Sequence, residues 1–120
     1  MLEDIELNES SKQNETVRQV KNFIDENYFE EININELADN FHISVSALIR
    51  SFKSLFGLSP VQYLNRRRIG EAQTLLIDTD KSVTDISFEV GFNNRTYFNK
   101  VFFKIMGMTP KKYRDLYRKI

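Results

Sequence analysis

Apolar residues recur along the chain at three- and four-residue intervals and nowhere alternate over a strand-length stretch, which predicts helices and no strands. Residues 1 to about 14 are polar, acidic and without periodicity, and read as a flexible lead-in or linker end. Val17, Val20, Ile24 and Tyr28 then mark an amphipathic helix over about 16–28. Asn35 can cap a short helix carrying Leu37, Ala38 and Phe41, and Ser44 caps another with Leu48, Phe52 and Leu55 on one face, stopped by Gly57. Ser59-Pro60 places a cap before proline at the first helical position, opening the longest helix, about 60–77. Its apolar stripe is Val61, Leu64, Arg68, Ala72 and Leu75, flanked by Ile69 and Leu76. Ser82 with Asp85 starts a short helix that runs through Val90 and is stopped by Gly91. Asn93 or Asn94 caps the next, with Tyr97, Phe98, Val101, Phe102 and Ile105 before Gly107. Thr109-Pro110 opens a last helix carrying Tyr113, Leu116 and Tyr117, so the pattern predicts an all-α chain of about seven helices.

Composition narrows the chemistry. With 41% hydrophobic and 28% charged residues the 120-residue chain has a globular balance. Cysteine is absent and His42 is the single histidine, which excludes disulfides, thiolate metal sites and a cysteine nucleophile, and argues against histidine-dependent catalysis. No apolar run approaches the roughly 20 residues of a membrane span, and the acidic start is unlike a signal peptide. A cytoplasmic protein without cofactor or bound metal is the expectation. The net charge of zero conceals a segregation: Met1 to Ile43 holds 3 Lys and Arg against 11 Asp and Glu, and Ser44 to Ile120 holds 14 against 6. A basic segment of that size raises the prospect of a polyanionic partner, although acidic and basic segments can also neutralise each other within a fold.

The chain also repeats itself. Shifted by fifty positions, Leu48, Arg50, Phe52, Gly57, Leu58, Ser59, Pro60 and Tyr63 fall on Phe98, Lys100, Phe102, Gly107, Met108, Thr109, Pro110 and Tyr113. Upstream the offset drops to forty-nine, where Glu36-Leu37-Ala38 falls on Asp85-Ile86-Ser87, so one residue of difference sits in the turn of each copy. Each copy reads short helix, tight turn, second helix, glycine stop, then a Ser/Thr-Pro helix start. One supersecondary unit is used twice, and its pattern is the helix-turn-helix, whose second helix enters a DNA major groove.

From about Ile32 to Arg118 the chain resembles the DNA-binding domain of the AraC family of bacterial transcription regulators. The resemblance rests on Glu36-Leu37-Ala38, Ser44, Leu48, Phe52-Lys53, Gly57-Leu58-Ser59-Pro60 with Tyr63, Arg68-Ile69, Ala72, Leu75-Leu76 and Val83-Thr84-Asp85-Ile86. It is tightest over Val90-Gly91-Phe92, Tyr97-Phe98, Phe102 and Gly107-Met108-Thr109-Pro110 with Tyr113-Arg114. Ser87 departs from the usual alanine, and Phe103 stands where lysine is common, which weakens one expected phosphate contact. The resemblance implies two helix-turn-helix subdomains, homeodomain-like three-helix units, joined by a long linker helix, and a role in sequence-specific DNA binding. The expected division is a lead-in over 1–14, a first subdomain over 15–58, the linker helix over 59–78 and a second subdomain over 79–120.

With Leu48, Phe52 and Leu55 inward, the first recognition helix turns Ser46, Ala47, Ile49, Arg50 and Lys53 outward. With Phe98, Val101, Phe102 and Ile105 inward, the second leaves Arg95, Thr96, Asn99 and Lys100 outside. Bases are read by arginine or lysine on guanine, asparagine on adenine and apolar contact with the thymine methyl. Ser46, Ile49 and Arg50 are the base-reading candidates of the first helix, and Arg95, Thr96, Asn99 and Lys100 those of the second; the resemblance implies the same positions. Lys53, Arg66, Arg67, Asn94, Lys104 and Lys111 are candidates for phosphates, with Asn94 equally suited to capping. Arg50 and Lys100 could instead be solvated or touch phosphate, and Ile49 could be buried. Arg68, on the apolar stripe, suits a structural ion pair or helix-end contact; Tyr63 and Tyr113 suit core packing with a bonded hydroxyl; His42 suits a surface or capping place near the first turn.

A linker helix of about 17 residues spans roughly 26 Å, against roughly 34 Å between major-groove segments on one DNA face, so some DNA bending is expected. A helical protein-interaction module and an enzyme are the competing readings, the latter without a phosphate loop, carboxylate pair or nucleophile-base set. The resemblance further implies RNA polymerase as a partner of the full regulator and a sensory, dimerisation or receiver domain outside these 120 residues, this portion being expected as a monomer.

Overall fold

The computed structural model describes residues 2–118, with side chains from Ser11 onward. Among the described residues there are seven helices and no strand: α1 (Leu2–Asn27), α2 (Ile34–Asn40), α3 (Val45–Phe56), α4 (Pro60–Asp78), α5 (Val83–Glu89), α6 (Arg95–Met106) and α7 (Pro110–Tyr117). The chain divides into two compact units. The first takes the residues up to 27 together with 32–64, and the second takes 28–31 together with 65 onward, so α4 starts in one unit and continues into the other.

In the first unit α1 and α2 both pack on α3. Val17, Val20 and Ile24 from α1, Leu37 and Ala38 from α2, and Leu48 and Phe52 from α3 are buried. Each large apolar side chain removed from water contributes on the order of 1.5–3 kcal/mol. The first helix begins at Leu2 where the apolar period predicts a start near 16, so the stretch expected as a flexible lead-in is helical. No Gly or Pro interrupts residues 2–16, and Glu, Lys and Gln are good helix formers. Gln13, one turn before Val17, continues the packed stripe with an amide that donates to the Ser51 hydroxyl, a position an apolar count passes over. The cap of α2 is Asn33, two residues before the expected Asn35: its side chain accepts from the Glu36 N–H at 3.1 Å, the three-residue reach that capping requires.

The start of α4 closes this unit. Ser59 and Gln62 cap reciprocally, the Ser59 hydroxyl accepting from the Gln62 N–H at 3.2 Å and the Gln62 side chain from the Ser59 N–H at 2.9 Å. Val61, expected on the apolar stripe, is 45% exposed, because Pro60 and Leu64 take the inward positions of that turn. The Tyr63 hydroxyl donates to Asp25, which also accepts from Lys21 Nζ at 3.0 Å. The bond to Asp25, reinforced by Tyr63, raises the Lys21 ammonium above the usual lysine range. Burial, reinforced by the Asp25 bond, raises the Tyr63 hydroxyl.

The second unit repeats the plan around Ile69, Ala72 and Leu76 of α4, Ile86 and Val90, Phe92, Phe98, Val101 and Phe102 of α6, and Tyr113 of α7. Ser87 is fully buried where the resemblance favours alanine, and its hydroxyl donates to the Thr84 carbonyl at 2.6 Å, so no polar atom is left bare. Arg68 is 8% exposed, donating from Nε to the Tyr28 carbonyl at 2.7 Å and from a terminal nitrogen to the Glu30 carbonyl at 2.8 Å. Burial lowers its guanidinium from the ordinary arginine range. Arg114 treats the end of α4 similarly, reaching the carbonyls of Leu76 and Thr79 at 2.9 and 3.1 Å. On α7 only Pro110 and Tyr113 are buried; Leu116 and Tyr117 are exposed.

Both turns follow one backbone course. In the first, His42 N–H donates to the Asp39 carbonyl at 3.1 Å and Ile43 N–H to that of Ala38 at 3.0 Å. In the second, Gly91 donates to Phe88 at 3.1 Å and Phe92 to Ser87 at 3.0 Å. The central residue takes positive φ in each, 56° at His42 and 110° at Gly91. Gly91 is fixed by contact as well as by φ, since a Cβ there would lie 2.5 Å from the Tyr28 carbonyl oxygen and 2.7 Å from Arg68 Nε.

Candidate nucleic-acid interface

In the first unit the recognition helix is α3. Ser44 caps it through the Ala47 N–H at 3.2 Å, and Gly57 ends it in the left-handed conformation. Leu48 and Phe52 have no exposed surface, and the Phe52 ring packs edge-on against Phe56 and Tyr63 at centroid distances of 4.8 and 5.6 Å. Locking that face inward fixes the opposite one, and Ser46, Ile49, Arg50 and Lys53 are exposed on it. Ile49 is 42% exposed, an apolar side chain in the midst of a polar face and not a core residue.

In the second unit α6 is held by the same devices. The Asn94 side chain accepts from the Tyr97 N–H at 2.9 Å, so its oxygen is engaged in capping, and Gly107 ends the helix. Phe98 and Phe102 are fully buried in a run of aromatic contacts, Phe92 to Phe98 at 5.2 Å, Phe98 to Phe102 at 5.8 Å and Phe102 to Tyr113 at 5.7 Å. Arg95, Thr96 and Lys100 are exposed together with Phe103 and Lys104. Asn99 is half-buried where the helical face places it outside, and its Oδ1 is covered without a hydrogen-bond partner. Tyr97, counted among the apolar positions, is 42% exposed and its hydroxyl accepts from Asn65 at 3.1 Å.

One contact was invisible in the sequence. Arg95 donates from a terminal guanidinium nitrogen to the Thr84 hydroxyl at 2.7 Å, linking the start of α6 to the first turn of α5. Eleven residues separate the two, and no helical or strand period connects that spacing.

The phosphate candidates divide. Lys53, Arg66, Lys104 and Lys111 are exposed. Arg67 stacks on the Tyr28 ring at 4.2 Å and lies 3.8 Å from Glu71, so much of its surface serves the second unit's own packing. Among the described residues no helix is long and apolar enough to cross a membrane.

Comparison with known proteins bears on this arrangement. A family model described as a helix-turn-helix domain matches residues 37–116, two-thirds of the chain. The solved structure of a probable AraC family transcriptional regulator from Rhodopseudomonas palustris is 29% identical, with a TM-score of 0.77 over 88% of this chain and 99% of the other. The chain belongs to the AraC family. The DNA-binding domain of AdpA, a global transcriptional factor solved in complex with a target DNA, is 30% identical with a TM-score of 0.79, covering 84% of this chain and 91% of that one. The melibiose operon regulatory protein of Escherichia coli K12 is 36% identical over 100 residues, 83% of this chain and 33% of the relative. This chain spans a third to about a half of the length of such curated relatives. It is an AraC-type DNA-binding domain, and its role is sequence-specific binding of duplex DNA in transcription regulation.

Proposed function

We propose that this AraC-family domain reads DNA with two heads, α3 and α6, each entering a major-groove segment, the two segments adjacent on the duplex. The observation that carries this is the repetition of an exposed polar face on two helices fixed by equivalent side-chain caps, buried aromatics and left-handed glycine stops. Ser46, Ile49 and Arg50 read bases from α3; Arg95, Thr96, Asn99 and Lys100 read from α6. Ile49 suits a thymine methyl, and the unpartnered Asn99 amide oxygen suits the exocyclic amine of adenine, once the side chain turns toward it. Lys53, Arg66, Arg67, Asn94, Lys104 and Lys111 grip phosphates and set register without reading sequence.

In the cell the domain acts in the cytoplasm, without catalytic chemistry of its own, and RNA polymerase is the protein partner of the regulator to which it belongs. The greater length of the curated relatives supports a sensory, dimerisation or receiver domain working with it.

Selection from a random-duplex pool at about 150 mM salt, with sequencing of the bound fraction, tests the two-headed reading. Two enriched blocks roughly one helical turn apart are expected. A single block would reduce one repeat to backbone contact. Binding without enrichment, lost at moderate salt, would overturn base reading altogether.

A further inference from the structure

We infer that Thr84 is a positioning residue for base reading: its hydroxyl holds the exposed Arg95 guanidinium in one place, and thereby sets the selectivity of α6 at one base pair. The inference rests on the reading of Arg95 as a base contact.

Arg95 is the first residue of α6 and is exposed, a place where a long flexible side chain samples many rotamers. Here one terminal nitrogen donates to Thr84 Oγ1 at 2.7 Å. Thr84 is itself half-buried in the first turn of α5, where Ser82 caps the helix and the Ser87 hydroxyl bonds the Thr84 carbonyl. The acceptor is therefore mounted on ordered backbone, and its β-branch restricts the hydroxyl further. Guanidinium carries five N–H donors, so the single bond to Thr84 leaves enough for a two-pronged contact with guanine O6 and N7. Ordering the side chain before DNA arrives removes an entropy cost from binding.

The repeat supplies a control. In the first unit the positions matching Thr84 and Arg95 are Asn35 and Val45, at offsets of forty-nine and fifty. Val45 cannot donate to a side chain, yet the turn there keeps the same backbone bonds. The motif folds without this pair, so the pair is an addition to the scaffold and not a requirement of it.

The test uses the selected duplex and its full set of single-base variants, measured with Thr84→Val, Thr84→Ser, Arg95→Ala and the Thr84→Val/Arg95→Ala double variant. Thr84→Val should lower discrimination about three- to tenfold at the base pair that Arg95→Ala also relaxes, and at no other. Thr84→Ser should restore it, and Thr84→Val should add nothing once Arg95 is alanine. Unchanged discrimination with Thr84→Val, while Arg95→Ala relaxes one base pair, would overturn the positioning role and leave the reading of Arg95 intact. No selective effect of Arg95→Ala would overturn both. A uniform loss of affinity on all duplexes with Thr84→Val would assign the hydroxyl to backbone contact instead. Should Thr84→Val lower the melting temperature, the comparison of Thr84→Ser with Thr84→Ala at a temperature where all are folded decides the same question.

Discussion

Gly91 carries more than a turn. Its φ of 110° disfavours any side chain, and the space a Cβ needs is filled by the Tyr28 carbonyl and the Arg68 guanidinium. Gly57 and Gly107 also have positive φ, at 76° and 75°, but a Cβ at either meets nothing within 4 Å. Alanine at Gly57 or Gly107 should therefore cost about 1–2 kcal/mol, the strain of the left-handed conformation alone. Gly91→Ala should cost several kcal/mol, since it also dislodges buried hydrogen bonds of Arg68. Thermal melts of the three variants check the ranking, and equal shifts would contradict it. At the reading faces, Arg50→Ala or Lys100→Ala should each cost about 1–3 kcal/mol on the selected duplex and relax preference at one position; binding measured on single-base variants separates this from uniform loss. These exposed candidates were legible because burying Leu48, Phe52, Phe98 and Phe102 dictates what faces out. The covered Asn99 oxygen and the Thr84 bond were not, because each depends on a neighbour from a different stretch of chain.

Among the elements, most boundaries marked by side-chain chemistry agree with the sequence, the Asn33 cap of α2 in place of Asn35 being the exception, and the start inferred from apolar period alone drifts. Ser44, Ser82, Asn94 and Thr109 cap where their spacing predicts, each accepting an N–H three residues on. The beginning of α1 did not show itself, since residues 2–14 are mostly polar and carry no regular apolar period to reveal a helix. The docking of α1 on the start of α4 has a titratable element in Lys21 and Tyr63, which both bond Asp25. Both Lys21 and Tyr63 have protonated forms favoured by the fold, so the stability they supply is complete below the usual lysine and tyrosine ranges. It should fade as pH rises above about 10, and Tyr63→Phe should flatten that alkaline decline in melting temperature. The two recognition helices, alike in their buried residues, should also accept each other's outward ones. Ser46→Thr, Ile49→Asn and Arg50→Lys together should leave melting nearly unchanged and convert the duplex block read by α3 toward the one read by α6. Repeating the selection with the triple variant measures this, and an unaltered block would refute base reading by α3.

For the molecule as a whole, the basic excess after Ser44 faces the question of how it meets a polyanion. If Lys53 and Lys104 each neutralise one phosphate, converting both to alanine should reduce the slope of log affinity against log salt by about 1.8, at roughly 0.9 per contact. Anisotropy titrations over a range of salt check it, on specific and random duplex alike. The two-unit plan was legible because the repeat shows in the letters, down to the single residue by which its offset changes. Its sharing of α4 was not, because a helix that serves two cores looks like any other long helix. The turns of the two copies also bear a record of history. A doubled motif begins with two equal turns, and equality at His42 and Gly91 has been lost. Histidine bears its left-handed conformation in the first copy with its side chain exposed, so a residue larger than glycine there needs no prior change elsewhere. In the second, both the Tyr28 carbonyl and Arg68 must first shift before any residue but glycine can enter. The same substitution is thus open to one copy at any time and closed to the other until the Tyr28 backbone and Arg68, which stands on another helix, have already moved: a lineage can explore the first turn freely and must change the second in a fixed order.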